Sequence, residues 1–126
     1  MDFLEWDELM SIHVEQLELY GGADGFTDKG VVESAFNRPR WKAMYASPDA
    51  AELAAEYLYG MATTQGFSDG NKRTALNVAL YFLWKNGFVL EATADEAFNM
   101  TLSVSVKQVD LQALCLWIRP RLRART

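Results

Sequence analysis

The sequence predicts an all-α fold, and three observations carry that expectation. Helix start and stop signals recur along the 126 residues. Apolar residues return at spacings of three and four, the period of a helix face. No alternating run is long enough to support a sheet. Half of the residues are hydrophobic, which suits one core in a chain of this length. A single domain over residues 1–126 is therefore expected, built as about six helices around one buried helix. Four Trp, seven Phe and five Tyr argue against disorder, because segments that stay unfolded are poor in aromatics.

The first helix is expected from about Asp7 to Tyr20, where Gly21-Gly22 supplies the residues common just past a helix C-terminus. A short second helix should follow the N-cap type Asp28 and end before Pro39, since the residue preceding a proline is biased away from helical backbone. Ser47-Pro48-Asp49 then opens a third helix to about Thr63, with a cap residue, a proline and an acid that favours the helix dipole. Its Ala51, Ala54, Ala55, Leu58, Met61 and Ala62 form one apolar face. The next helix, roughly Asn71 to Asn86, is apolar nearly all round between Ala75 and Trp84, so it is expected to be the buried central helix. Thr93-Ala94-Asp95-Glu96 has capping-box spacing and starts a helix through about Val106, and Asp110 caps a last one carrying Leu111, Leu114, Leu116, Trp117 and Ile118. The run from Arg119 to Arg125 reads as a solvated basic tail, about residues 119–126. There is no internal repeat and no low-complexity linker.

A formal net charge of −5 works against broad nucleic-acid affinity, which is driven by Lys and Arg neutralising phosphates. Any cationic site must be local. The single cysteine, Cys115, cannot form an internal disulfide and lies in an apolar run, so a buried, inert thiol is expected. The opening MDFLEWDELM is acidic where a secretory signal is basic, and the longest apolar stretch, Ala75 to Trp84, is too short to span a bilayer. The expectation is a soluble, cytoplasmic protein without membrane or direct nucleic-acid contact.

The segment QGFSDGNKRTAL, Gln65 to Leu76, stands out for its chemistry. It brings Lys72 and Arg73 to the head of an apolar helix, where unpaired backbone N–H groups and the positive end of the dipole make an anion site. Gly70 lets the backbone approach a ligand closely. Asp69 would repel a bare phosphate unless a divalent cation lay between them, an arrangement that suits Mg²⁺. The segment thus points to a Mg²⁺-nucleotide. The plainer alternative is that Asp69 and Asn71 cap the helix while Lys72 and Arg73 are solvated. The order of a Walker A loop is absent. A helix-turn-helix DNA reader could also place Lys72 and Arg73 at a helix N-terminus, but the helix behind them has no polar face to set in a groove.

QGFSDGNKRTALNVALYFLWKNG resembles the signature of the Fic/Doc family, whose death-on-curing branch carries His-Pro-Phe-x-Asp-Gly/Ala-Asn-Lys-Arg-Thr-Ala. IHVEQLELYGGADGFTDKGVVESAFNRPR resembles the family's N-terminal segment, so the likeness covers about residues 8 to 118. It implies an all-α Fic-type bundle. It also implies that Asp69 holds Mg²⁺, that the loop backbone with Gly70, Asn71 and Lys72 forms an anion hole, that Arg73 binds nucleotide phosphates, that Phe67 anchors the loop and that Asn77 lines the same pocket. Lys72 stands where the adenylyl-transferring members have glycine, which favours the death-on-curing branch and transfer of the ATP γ-phosphate to a threonine of elongation factor Tu. Chains of that branch are toxins that block translation and are restrained by an antitoxin whose C-terminal segment docks on them. An adenylyl transferase is the alternative reaction.

One departure dominates. Gln65 occupies the position of the family's catalytic histidine, and Gly66 that of its proline. An amide cannot usefully take a hydroxyl proton, so transfer should be slowed while nucleotide binding survives. A pseudoenzyme acting as a binding module is the other reading. His13, the only histidine, is expected to be structural more than a substitute base, and Thr27 stands where many relatives carry a basic residue.

Overall fold

The computed structural model describes all residues, 1–126. Six helices make up the body: α1 (Trp6–Tyr20), α2 (Lys29–Tyr45), α3 (Ala50–Thr64), α4 (Asn71–Lys85), α5 (Ala94–Ser105) and α6 (Leu111–Ile118). The fold is all-α, as the punctuation predicts. Short-range capping sets the starts. Asp28 accepts from the Val31 N–H at 3.1 Å, Asp49 from Glu52 at 2.9 Å, Thr93 from Glu96 at 3.1 Å and Asp110 from Ala113 at 2.8 Å. Each satisfies an orphan donor of a first turn.

The buried central helix is α3, not α4. Eleven of the fifteen residues of α3 are buried, against seven in α4, whose Trp84 is 50% exposed. The reason is side-chain size. Five alanines and Gly60 let α2, α4, α5 and α6 approach α3 from several sides, whereas Leu80, Tyr81 and Trp84 of α4 line an open groove against α1. The one buried acid of α3, Glu56, is matched by Lys42 at 3.3 Å and Arg38 at 3.5 Å. Burial this deep requires such pairing. Tyr57 lies beside them with its phenol pushed up to about 12 by burial, and it accepts the Leu4 N–H at 3.2 Å. The 25 buried apolar side chains form one cluster.

Two local expectations fail for long-range reasons. The second helix does not stop before Pro39 but runs through it to Tyr45. An interior proline removes a helical hydrogen bond and costs roughly 3 kcal/mol. Here the ring is buried, and the residues beyond it are tied down: Arg40 donates to the Leu4 carbonyl at 2.8 Å and Lys42 to Glu56. The C-terminal basic run is largely exposed, as expected, but it is held in place and is not a free tail. After a 3₁₀ turn at Arg119–Arg121, β2 (Leu122–Ala124) pairs antiparallel with β1 (Phe88–Leu90), Val89 opposite Arg123. Arg123 meets Glu91 at 2.8 Å, and the Arg121 and Arg125 guanidinium groups lie over Trp117 and Trp84 at 4.4 and 4.3 Å. Three residues per strand are too few for an alternation signal to register. Cys115 is half-buried rather than buried, and burial pushes its thiol up, in keeping with an inert side chain.

Asp49 caps α3 and also receives Arg119 Nε at 2.9 Å. That hydrogen bond, with the Glu52 N–H, holds its carboxyl below the ordinary 3.8. A depressed folded value means that the stabilisation is complete above 3.8 and fades as pH falls through the folded value. Asp49→Ala should lower the unfolding free energy by about 1 kcal/mol, chiefly through the lost cap, since the exposed ion pair adds little. In urea titrations Asp49→Asn should show a shallower loss of stability on the acid side than the unsubstituted chain.

Candidate phosphate site at the head of α4

The loop from Gln65 to Gly70 joins the central helix to α4. It leaves α3 at Gln65, which is exposed and left-handed, with φ 49° and ψ 52°. Such backbone costs an ordinary side chain roughly 1–2 kcal/mol, so the surrounding contacts must impose it. They are visible on both sides. The Gly66 carbonyl accepts the N–H groups of Thr27 and Asp28 at 2.9 and 3.0 Å and the Thr27 hydroxyl at 3.2 Å. Ser68 N–H donates to the Gly25 carbonyl at 3.0 Å, and Phe26 and Phe67 form an isolated antiparallel bridge. The segment before α2 thus clasps the loop, and Thr27 serves it through backbone and hydroxyl.

Phe67 is buried, 2% exposed, in a stack of three rings. His13 lies against it at 3.7 Å between centroids and Phe26 at 5.2 Å. This is the anchor expected of Phe67. His13 is fully buried, and its Nε2 is 2.9 Å from the Asp69 carbonyl oxygen. A carbonyl only accepts, so Nε2 carries the proton and donates. His13 therefore pins the loop and does not reach into solvent as a substitute base.

Asn71 closes the loop on itself. Its Oδ1 accepts the Phe67 N–H, and its Nδ2 donates to the Phe67 carbonyl, both at 2.9 Å. The Asn71 side chain is thereby committed to the loop, and only its backbone N–H faces a prospective ligand. Asp69 Oδ2 accepts the Ala23 N–H at 2.7 Å, and the residue is exposed. Neither Asp69 nor Asn71 caps α4. The cap position is Gly70, at φ 78°, without any side-chain hydrogen bond. Only from Thr74, which donates to the Gly70 carbonyl at 3.0 Å, is the first turn satisfied. The N–H groups of Asn71, Lys72 and Arg73 have no acceptor within the chain. Three unpaired donors at the positive end of a fifteen-residue helix form an anion seat.

Lys72 and Arg73 take part in none of the ion pairs. The structure thus brings Gln65, Asp69, Gly70, Asn71, Lys72 and Arg73 onto one loop and the turn that follows it. Asn77 stands apart: it donates to the Arg73 carbonyl at 2.8 Å and lines a groove of about 740 Å³ between α1, α4 and β1 that includes none of the other site residues. Sequence reasoning did not reach two aromatic neighbours. The Arg73 guanidinium lies 3.7 Å from the Tyr20 ring centre and 4.2 Å from that of Phe98, contacts from α1 and α5 that no local spacing announces.

Asp69 is the one carboxylate of the site, and no group of three or more His, Cys, Asp or Glu side chains exists that could hold a metal by itself. One carboxylate beside a phosphate seat fits a Mg²⁺ that arrives with its nucleotide, since Mg²⁺ is commonly held by one or two carboxylates plus substrate phosphates. It does not fit a resident, fully protein-ligated metal.

Gly66 has no room for a side chain. A Cβ there would lie 2.6 Å from Val32 Cγ2 and 2.7 Å from the Asp28 carbonyl oxygen, itself backbone. Gly66→Ala should therefore destabilise the fold by about 1–3 kcal/mol, the scale of overpacking, measured as a lower urea midpoint at unchanged slope.

Comparison with known proteins agrees with this geometry. Residues 3–83 match the family described as Fic/DOC. The chain is 32% identical over 114 residues to the protein named Protein kinase doc from Escherichia phage P1, covering 90% of each chain. It is 33% identical over 100 residues to the protein named Toxin Doc from Mycolicibacterium smegmatis, covering 75% of this chain and 76% of the relative. The chain belongs to the Fic/Doc family.

Proposed function

We propose that the chain is a Doc-like toxin whose site is laid out for phosphoryl transfer from Mg²⁺-ATP to a threonine of a translation factor, elongation factor Tu, and that Gln65 impairs this transfer. The observation that carries the reading is the bare first turn of α4. Three backbone N–H groups without acceptors, two cations without acidic partners and a glycine at the cap suit a polyphosphate better than they suit a merely structural helix end. The relative named as a kinase supports phosphoryl transfer as the reaction, and the one named as a toxin supports the biological role.

Each side chain then has a task. The N–H groups of residues 71–73 would donate to phosphate oxygens, Lys72 and Arg73 would offset their charge, and Asp69 would hold the accompanying cation. That cation, when bound, neutralises charge on the transferred group. His13, Phe67 and Asn71 keep the loop in register. At position 65 a general base would take the proton of the attacking hydroxyl, and Gln65 has no lone pair basic enough to do so. The same observation supports the second reading, a pseudoenzyme that binds nucleotide or target without transfer. An antitoxin is the partner expected of such a toxin, and the cytoplasm, where translation factors reside, its place of action.

Gln65→His should raise γ-phosphate transfer to elongation factor Tu by about 10²–10⁴-fold, the usual contribution of a general base, with Mg²⁺-ATP affinity little changed. The measurement is transfer of γ-labelled ATP to the purified factor, with α-labelled ATP alongside. Label from the α position would assign adenylyl transfer instead. No label from either chain, with ATP still bound, would favour the pseudoenzyme.

A further inference from the structure

We propose, on the nucleotide-binding reading above, that Tyr20 and Phe98 are positioning residues that hold the Arg73 guanidinium between two rings and so preset it for a polyphosphate. Four arginines lie over aromatic rings: Arg40, Arg73, Arg121 and Arg125. Arg73 alone is held by two rings, at 3.7 and 4.2 Å. Arg40 also meets Glu5 and the Leu4 carbonyl, and Arg121 donates to the Trp117 carbonyl. Arg73 has no carboxylate partner. Its position is therefore set by the two rings, and its N–H donors, which have no carboxylate partner in the chain, remain for a ligand.

Core burial places Phe98, which packs against the core cluster, but it does not explain Tyr20. Tyr20 is the last residue of α1 and is 59% exposed, so its ring covers Arg73 without being buried itself. The three residues come from three helices, α1, α4 and α5, and meet beside the unpaired N–H groups of the α4 first turn. A long side chain normally loses rotamer freedom when it binds a phosphate. A guanidinium already fixed in plane loses less, and its fork of donors matches phosphate oxygens two at a time. Lys72, one residue earlier, lies over no ring and can act only as a mobile point charge.

The test uses the full chain and two probes, inorganic tripolyphosphate and Mg²⁺-ATP, with affinity read by calorimetry and folding by thermal unfolding. Tyr20→Ala and Phe98→Ala should each weaken both probes about three- to ten-fold, the range of a cation–π contact, and Tyr20→Phe should restore the affinity because it keeps the ring. In an Arg73→Ala background Tyr20→Ala should cause no further loss, since coupled residues are not additive. Tyr20→Ala should lower the midpoint of thermal unfolding by no more than about 4–8 °C, the loss of one exposed contact. Unaltered affinity in Tyr20→Ala and Phe98→Ala, or a loss that persists in full without Arg73, would overturn the proposal while leaving nucleotide binding intact. Failure of the unsubstituted chain to bind either probe would overturn both this proposal and the reading on which it rests.

Discussion

The bond between Asn71 and Phe67 sets the geometry on which the candidate site depends. One amide satisfies both the N–H and the carbonyl of a residue four positions earlier, and the Phe67 ring is stacked between His13 and Phe26. With the ring buried and its backbone closed, the loop has little freedom left. Gly70 can then enter α4 without a side-chain cap, and the first-turn N–H groups are left without an acceptor in the chain. A helix end normally recruits Ser, Thr, Asp or Asn to satisfy those groups, as four other helices of this chain do. Here the residues that could cap are engaged elsewhere, Asp69 with Ala23 and Asn71 with Phe67.

Stability and function therefore draw on the same residues in opposite senses. The uncapped turn of α4 and the left-handed Gln65 both cost folding free energy. The ring stack and the clasp from residues 25–28 offset that cost from outside the loop, because their contacts come from α1 and from the approach to α2. Local strain retained by distant contacts is the pattern expected where backbone geometry serves a ligand.

What was legible in the sequence follows the range of the interactions. Capping is decided within four residues, so Asp28, Thr93 and Asp110 mark helix starts correctly, while the third start moves from Ser47 to Asp49, whose carboxylate reaches the Glu52 N–H. The motif from Gln65 to Thr74 is equally local, so its residue types stand out, but the commitment of Asn71 to Phe67 and of Asp69 to Ala23 does not follow from types alone. Pro39 misleads because the contacts that carry α2 past it reach to Leu4 and Glu56. The roles of α3 and α4 are exchanged because hydrophobic content does not by itself set burial. Small side chains invite neighbours on several sides, whereas the large ones of α4 form the wall of a groove. Tyr20, Phe98 and His13 converge on the site from separate helices, and nothing in their spacing signals that they meet.

Gly66 gives the departure at position 65 a further meaning. The family pattern has proline beside its histidine, and in this chain the space beside Gly66 is filled by Val32 and the Asp28 carbonyl. The two neighbouring differences are thus unequal in reversibility. Histidine at 65 would project from an exposed position and needs no other change, so it is one substitution away. Proline at 66 would need the start of α2 to withdraw first, which ties the second half of the motif to the placement of an entire helix. A chain carrying the full His-Pro pair would need a rearranged α2, whereas one carrying only the histidine would not.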